Sequence, residues 1–184
     1  MITLVTGGAR SGKSSFGESI LENEPEVLYI ATSIPFDQEM KDRVKKHREQ
    51  RPSHWHTLES YKDFQAEFEK ILGGNIVYNG VIVDCITIMI SNILLENLSD
   101  DGNDDYDLIE QKVMFQIDNL IKGLRNFNCK AVIVTNEVGS GIVPENKLSR
   151  EFRDIAGRVN QRLAKESDEV YLVVSGIPVR IKGE

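Results

Sequence analysis

The sequence has no apolar run long enough to cross a bilayer, few cysteines, few prolines and no excess of positive charge. Its longest apolar region, Val81 to Leu95, is broken by Asp84, Thr87, Ser91 and Asn92, short of the roughly 20 consecutive apolar residues that a membrane helix needs. The two cysteines, Cys85 and Cys129, lie far apart beside apolar runs. They are too few for a disulfide framework or a cysteine-held metal, and they fit reduced, buried thiols in a cytoplasmic protein. The amino-terminal residues show no basic segment followed by an apolar core, so no secretory leader is expected. With 22 basic residues against 29 acidic ones the net charge is −7. That balance argues against nucleic acid as a partner, because such binding needs a basic face. It also makes any local basic cluster informative. No repeat, linker or low-complexity tract divides the 184 residues, and 1–184 is expected to form a single nucleotide-binding domain.

What is present begins at once. Gly7-Gly8-Ala9-Arg10-Ser11-Gly12-Lys13-Ser14 matches G-x-x-x-x-G-K-[ST] in full, the phosphate-binding loop. The apolar run Ile2–Thr6 before it reads as a buried strand, and Ser14–Asn23 after it as a helix. Glycines let the backbone curl so that several N–H groups face one anion, and the helix opening at Lys13 adds its positive end. The Lys13 ammonium can reach terminal phosphates, and the Ser14 hydroxyl can ligate Mg²⁺. The expected ligand is a nucleoside triphosphate; the loop alone does not choose the reaction.

Strand and helix patterns then alternate. Glu26–Ala31, Val81–Asp84, Lys130–Thr135 and Glu169–Val174 read as buried strands, and Val179–Lys182 as an antiparallel edge strand after a turn at Ser175–Pro178. Helical periodicity marks Asp37–Gln50, Tyr61–Leu72, Cys85–Asn97, Tyr106–Asn126 and a long helix carrying Leu148, Phe152, Ile155, Val159 and Leu163. This alternation predicts an α/β fold of the P-loop NTPase type in three layers, with a mostly parallel central sheet, helices on both faces and an antiparallel C-terminal edge strand.

Ligands of such sheets sit at the carboxyl ends of the strands. Thr32 and Ser33 stand at one such end, where two hydroxyls either contact a nucleotide or simply form a turn. Asp84 stands at another and fits the acid on the Mg²⁺ side of a phosphate loop, with Ser14 as the second metal ligand. On the charged helix Asp37–Gln50, Met40, Val44 and His47 share one face. His47 lies in the densest basic cluster of an acidic chain, with Lys45, Lys46, Arg48 and Arg51, where a histidine serves either packing or phosphate chemistry. His54 and His56 flank Trp55 in a short extended piece and carry no assigned chemistry. The glycine-bearing loop Asn136–Asn146 is a substrate-binding candidate by its place at a strand end.

Five stretches together resemble one family. They are Gly7–Ser14, Tyr29-Ile30-Ala31-Thr32-Ser33, His47 with Arg51-Pro52, Thr135-Asn136-Glu137-Val138-Gly139, and Phe152-Arg153-Asp154-Ile155-Ala156-Gly157-Arg158-Val159-Asn160-Gln161. Their order is similar to that of the bifunctional adenosylcobinamide kinase / adenosylcobinamide-phosphate guanylyltransferases of cobalamin biosynthesis, over essentially the whole chain. The resemblance implies two reactions. A nucleoside triphosphate, ATP or GTP, phosphorylates adenosylcobinamide; GMP then passes from GTP to the resulting phosphate through a guanylylated histidine, leaving pyrophosphate and adenosylcobinamide-GDP. It matches His47 to that histidine, with Lys46 where many relatives carry a second one. It implies Thr32, Ser33, Arg48, Glu49, Gln50, Arg51, Glu59 and Asp84 as further nucleotide contacts, and a cytoplasmic homo-oligomer, a trimer. Two rival readings use the same loop: a single-activity small-molecule kinase in which His47 is structural, and a non-catalytic switch in which nucleotide reorders the Ser99–Asp107 or Val138–Pro144 loops.

Overall fold

The computed structural model describes residues 1–33 and 52–183. In chain order they form β1 (Ile2–Gly7), α1 (Lys13–Ser19), β2 (Val27–Ala31), β3 (His56–Glu59), α2 (Phe64–Leu72), β4 (Gly80–Asp84), α3 (Ile86–Glu96), α4 (Tyr106–Asn126), β5 (Lys130–Val134), α5 (Lys147–Glu166), β6 (Glu169–Val174) and β7 (Ile177–Lys182). The strands make one sheet in the order β3-β2-β4-β5-β1-β6-β7. Every pair is parallel except β6–β7, as the sequence pattern predicts.

Period-2 alternation assigns the two faces. Leu28 and Ile30, Val81 and Val83, Ala131 and Ile133 point into one core, which the apolar stripes of α2, α3, α4 and α5 cover. Tyr29, Ile82, Val132 and Val134 point into the other, where Phe16, Leu21 and Trp55 pack. Strands buried on both faces read as continuous apolar runs, and only closure by helices on each side makes that tolerable. Among the described residues four helices cover one face and α1 the other. No helix among them is long and apolar enough to cross a membrane.

Four elements depart from the sequence reading; the first is α1, which ends at Ser19 rather than Asn23. The segment around His56 is a parallel strand, β3, at the outer edge beyond β2; His56 meets Glu26 at 3.2 Å and the Tyr78 ring edge-on, a packing role. Helix α2 starts only at Phe64, because Asp63 before it has φ 57°, outside the helical region. Strand β7 starts at Ile177 rather than after Pro178. Ser175 and Gly176 alone make the reversal, with φ of 51° and 82°, as a two-residue hairpin needs. Pro178 is accepted on an outer strand, where no neighbour requires its missing N–H. At the strand's far end the Lys182 ammonium donates to the carbonyls of Ala164, Lys165 and Ser167 at 2.9, 3.1 and 2.6 Å, a cation at the negative end of α5.

Helices α2 and α4 approach through Gly123. A Cβ there would lie 2.1 Å from the Phe68 ring, and that ring is held between Phe64 and Phe127. Gly123→Ala is therefore expected to destabilise the protein by about 1–3 kcal/mol through overpacking, read as a lower urea midpoint with unchanged m-value.

Candidate functional site

The phosphate loop leaves the end of β1 and is built so that four of its carbonyls are occupied. Gly7 O accepts from Glu137 N–H at 2.9 Å, Gly8 O from Ser11 N–H at 3.2 Å, Ser11 O from Gly176 N–H at 2.8 Å and Gly12 O from Phe16 N–H at 3.0 Å. The N–H groups of Gly8, Ala9, Arg10, Gly12, Lys13 and Ser14 make no hydrogen bond among the described residues. Donors left open around a curled backbone form an anion receptor. Gly12 takes φ 92°, a conformation open to glycine, and a Cβ on Gly7 would fall 2.5 Å from Val173 O. Lys13 is 8% exposed, and its ammonium donates to Gly8 O at 3.2 Å. A buried cation with one carbonyl partner is poised for phosphate.

Register carries the other predicted groups to the same edge. Ala31 of β2 pairs with Glu59 on one side and Asp84 on the other, and Asp84 pairs with Val134. Glu59, Thr32 and Asp84 thus end neighbouring strands, with Glu59 and Asp84 roughly 10 Å apart across β2. Asp84 Oδ2 accepts the Tyr29 hydroxyl at 2.7 Å. Burial, and then the charge of Asp84, push the Cys85 thiol above its ordinary value, while the Lys13 ammonium pulls it down. Lys13 is therefore within electrostatic reach of the β4 end. A hydroxyl at Ser14 and a carboxylate at Asp84 are hard oxygen donors that suit Mg²⁺. Among the described residues no three His, Cys, Asp or Glu side chains form a metal cluster, so remaining ligands to such an ion would come from phosphate and water. Beside Thr32, Ser33 and Glu59 lies a cavity of about 380 Å³, walled also by Ser60, Tyr61 and Lys62. Lys62 is ion-paired with Glu96; that bond raises the lysine and lowers the carboxyl from their ordinary pKa values.

A buried polar belt ties these strand ends together. The Thr32 hydroxyl donates to Cys85 O at 2.7 Å and accepts from Cys85 N–H at 3.0 Å. The Asn92 amide donates to Thr32 O at 2.8 Å. Asn136 donates to the Thr87 hydroxyl at 2.7 Å; Asn160 accepts from Thr135 at 2.8 Å and donates to Asn136 O at 3.0 Å. Glu137 Oε1 accepts from Gly139 N–H and Ser140 N–H at 2.6 and 3.1 Å, shaping the loop that follows.

The structure thus brings Gly7–Ser14, Thr32, Ser33, Glu59 and Asp84 to one edge. His47, Arg48, Glu49, Gln50 and Arg51 lie outside the described residues. Sequence reasoning gave Tyr29, Thr87, Asn92 and Asn160 no role at the site, although Tyr29 and Asn160 stand in the family-like stretches. The available signal was polar residues inside apolar runs: Thr87 and Asn92 interrupt an otherwise apolar helix and are 4% and 6% exposed.

Residues 3–181 match the family described as cobinamide kinase / cobinamide phosphate guanyltransferase. Over 184 residues the chain is 47% identical to the bifunctional adenosylcobalamin biosynthesis protein CobU of Escherichia coli (strain K12), covering 99% of this chain and 100% of that one. It is 48% identical to the protein of the same name from Salmonella typhimurium (strain LT2), with the same coverage. Among solved structures, a Pyrococcus horikoshii OT3 protein superposes with a TM-score of 0.53 at 11% identity, over 99% of this chain and 86% of that one. An ATPase of a bacterial type III secretion system gives 0.52 at 11% identity, over 93% and 51%. These last two likenesses concern the fold alone.

Lys13→Ala is expected to lower nucleoside-triphosphate turnover by about 10²–10³-fold, the usual cost of removing one preorganised charge-stabilising donor. Its denaturation midpoint should stay close to wild type. Steady-state kinetics beside a melting curve reads both; wild-type turnover would mean that the loop does not hold the reacting phosphates.

Proposed function

The chain belongs to the cobinamide kinase / cobinamide phosphate guanyltransferase family, and from that premise we propose how its residues divide the work. The protein is a bifunctional transferase of cobalamin biosynthesis, phosphorylating cobinamide and then transferring a guanylyl group onto cobinamide phosphate. In the finer reading the substrate is adenosylcobinamide, phosphorylated at a hydroxyl by ATP or GTP, and GMP passes to its phosphate by way of His47.

The observation that carries this reading is the phosphate loop, with four carbonyls bonded and six N–H groups open, on the same sheet edge as the Thr32–Glu59 cavity. In the kinase step the open N–H groups and Lys13 hold the donor's phosphates and spread the charge that develops in phosphoryl transfer. In the guanylyl step the same groups hold the departing pyrophosphate. A neutral His47 imidazole nitrogen attacks the α-phosphorus, and the bond from that phosphorus to the β-bridging oxygen breaks. An oxygen of cobinamide phosphate then attacks the same phosphorus and the electron pair of the P–N bond returns to the imidazole. The basic neighbours Lys45, Lys46, Arg48 and Arg51 oppose protonation of His47 and so keep it nucleophilic.

The cavity is of a size that accepts a purine base. Glu59 in its wall offers a carboxylate to the ring N–H and exocyclic amine of guanine, an arrangement adenine does not satisfy. Thr32 and Ser33 complete that wall, and Arg48 to Arg51 serve as further nucleotide contacts. Ser14 and Asp84 would hold Mg²⁺, which when bound supplies positive charge to the phosphates; Tyr29 holds the Asp84 carboxylate in place. The reading extends to a cytoplasmic homotrimer. Support for an assembly comes from the outer strand β7, where Ile177, Val179 and Ile181 present exposed apolar side chains, a kind of surface that assemblies cover.

GTP labelled at the α-phosphate tests the nucleophile. Wild type with Mg²⁺ is expected to retain, after denaturation, a label that is acid-labile and base-stable, and His47→Asn to retain none. A label on His47→Asn, or none on wild type, removes His47 from the mechanism. Sedimentation equilibrium is expected to give three times the chain mass; a monomer removes the trimer.

A further inference from the structure

Helix α5 carries four arginines with different degrees of engagement. Arg158 chelates Glu110 of α4 at 2.5 and 2.7 Å. Arg162 bonds Asp118 at 3.0 Å and Glu166 at 2.8 Å. Arg150 donates to the carbonyls of Pro144 and Glu145 at 3.1 and 2.5 Å. Arg153 meets only its chain neighbour Asp154, at 3.4 Å, and no other element among the described residues. Its side chain is nonetheless 20% exposed, while that of Asp154 is 50% exposed. Arg153 is thus the least engaged of the four, and it is more withdrawn from water than Arg158 or Arg162, whose side chains are 48% and 35% exposed.

Its position is fixed by Asn160. That residue bonds Thr135 and Asn136 at the carboxyl end of β5, so this level of α5 coincides with the edge of the sheet. Helix α5 joins β5 to β6, which are both parallel to β1. It must therefore run from the carboxyl edge down to the opposite one. Arg153 is seven residues before Asn160, within about 20° of the same face. It stands about 10 Å nearer the helix start, and helical side chains lean that way. Arg153 thus overhangs the end of β5, the strand seated between the phosphate loop's β1 and the Asp84-bearing β4.

We propose that Arg153 binds the phosphate of the acceptor, cobinamide phosphate, in guanylyl transfer. The donor's phosphates have the loop N–H groups and Lys13. The acceptor adds a second, separate anion to the same edge, where Lys62 is engaged by Glu96 and Arg150 by carbonyls. A guanidinium grips such a group through two parallel N–H···O bonds and stays charged at every working pH. The exposed Asp154 holds it only at 3.4 Å, a contact easily exchanged for phosphate. This role rests on the family's second reaction but not on the identity of the nucleophile.

Full-length wild type, Arg153→Gln and Arg153→Lys are compared by calorimetric binding of cobinamide phosphate and of cobinamide, by acceptor KM, and by covalent labelling from α-labelled GTP. Arg153→Gln is expected to weaken cobinamide phosphate about 10- to 100-fold, the range for a lost hydrogen bond to a charged group. Cobinamide affinity and label formation should be unchanged, and Arg153→Lys should recover part of the loss. Unchanged phosphate affinity, an equal loss for cobinamide, or a parallel fall in labelling overturns the proposal, the last two marking a merely structural arginine. Wild type that binds both acceptors alike overturns it too. Absence of GMP transfer by wild type instead removes the guanylyltransferase reading, and absence of label alone removes only the histidine.

Discussion

A loop that must receive several phosphates has to keep its own oxygens away from them. Here four successive structural bonds do so, two from nearby residues and two from distant ones: Glu137 N–H on Gly7 O and Gly176 N–H on Ser11 O. Without the distant pair the loop could turn carbonyl dipoles toward the anion, and repulsion would cancel much of what the N–H groups offer. The receptor therefore belongs to the β5 and β6–β7 turns as much as to Gly7–Ser14. The glycines serve this arrangement physically, since a Cβ on Gly12 would come within 3.2 Å of Gly176 Cα.

Around that loop, parallel register does most of the positioning. Strands in register end together, so Glu59, Thr32 and Asp84 reach one edge through backbone pairing alone, and the Thr32 N–H extends that ladder to the Asp84 carbonyl at 3.3 Å. What register leaves undone, the polar belt completes. Thr32, Thr87, Asn92, Asn136 and Asn160 bridge helix and strand below the site, and their amides and hydroxyls find partners within the belt. Buried polar groups satisfied in this way are rigid, and removing any one strands its partner. Rigidity of this kind suits an enzyme whose two reactions differ in the phosphorus attacked.

Legibility followed the range of the forces involved. The stripe of Ile109, Val113, Ile117, Leu120 and Leu124 depends on local periodicity alone, and the predicted bounds of α4 coincide with the observed Tyr106–Asn126. The buried parallel strands and the phosphate loop were equally plain, because each states its requirement within a few residues. Strand β3 was not. Three of its four residues are exposed, and it exists because β2 offers an open edge. The start of β7 was obscured by Pro178, whose local preference for a turn yields to pairing with Val173. At the site, Tyr29 and Asn92 act on residues 55 and 60 positions away, a distance at which no spacing rule operates. Glu59 was reached only through family resemblance, and His47 with Arg48–Arg51 lies outside the described residues.

The hydrogen bond from Gly176 to Ser11 also orders events in time. A ribosome releases residues 7–14 well before the β6–β7 hairpin. Residues 7–14 emerge with the Gly7 and Ser11 carbonyls untethered, and the clasp on Ser11 arrives only once the β6–β7 hairpin is out. Contacts that join distant parts of a chain close late. A nascent chain would then lack the finished phosphate receptor until that hairpin pairs with β1, and nucleotide binding becomes a property of the closed sheet.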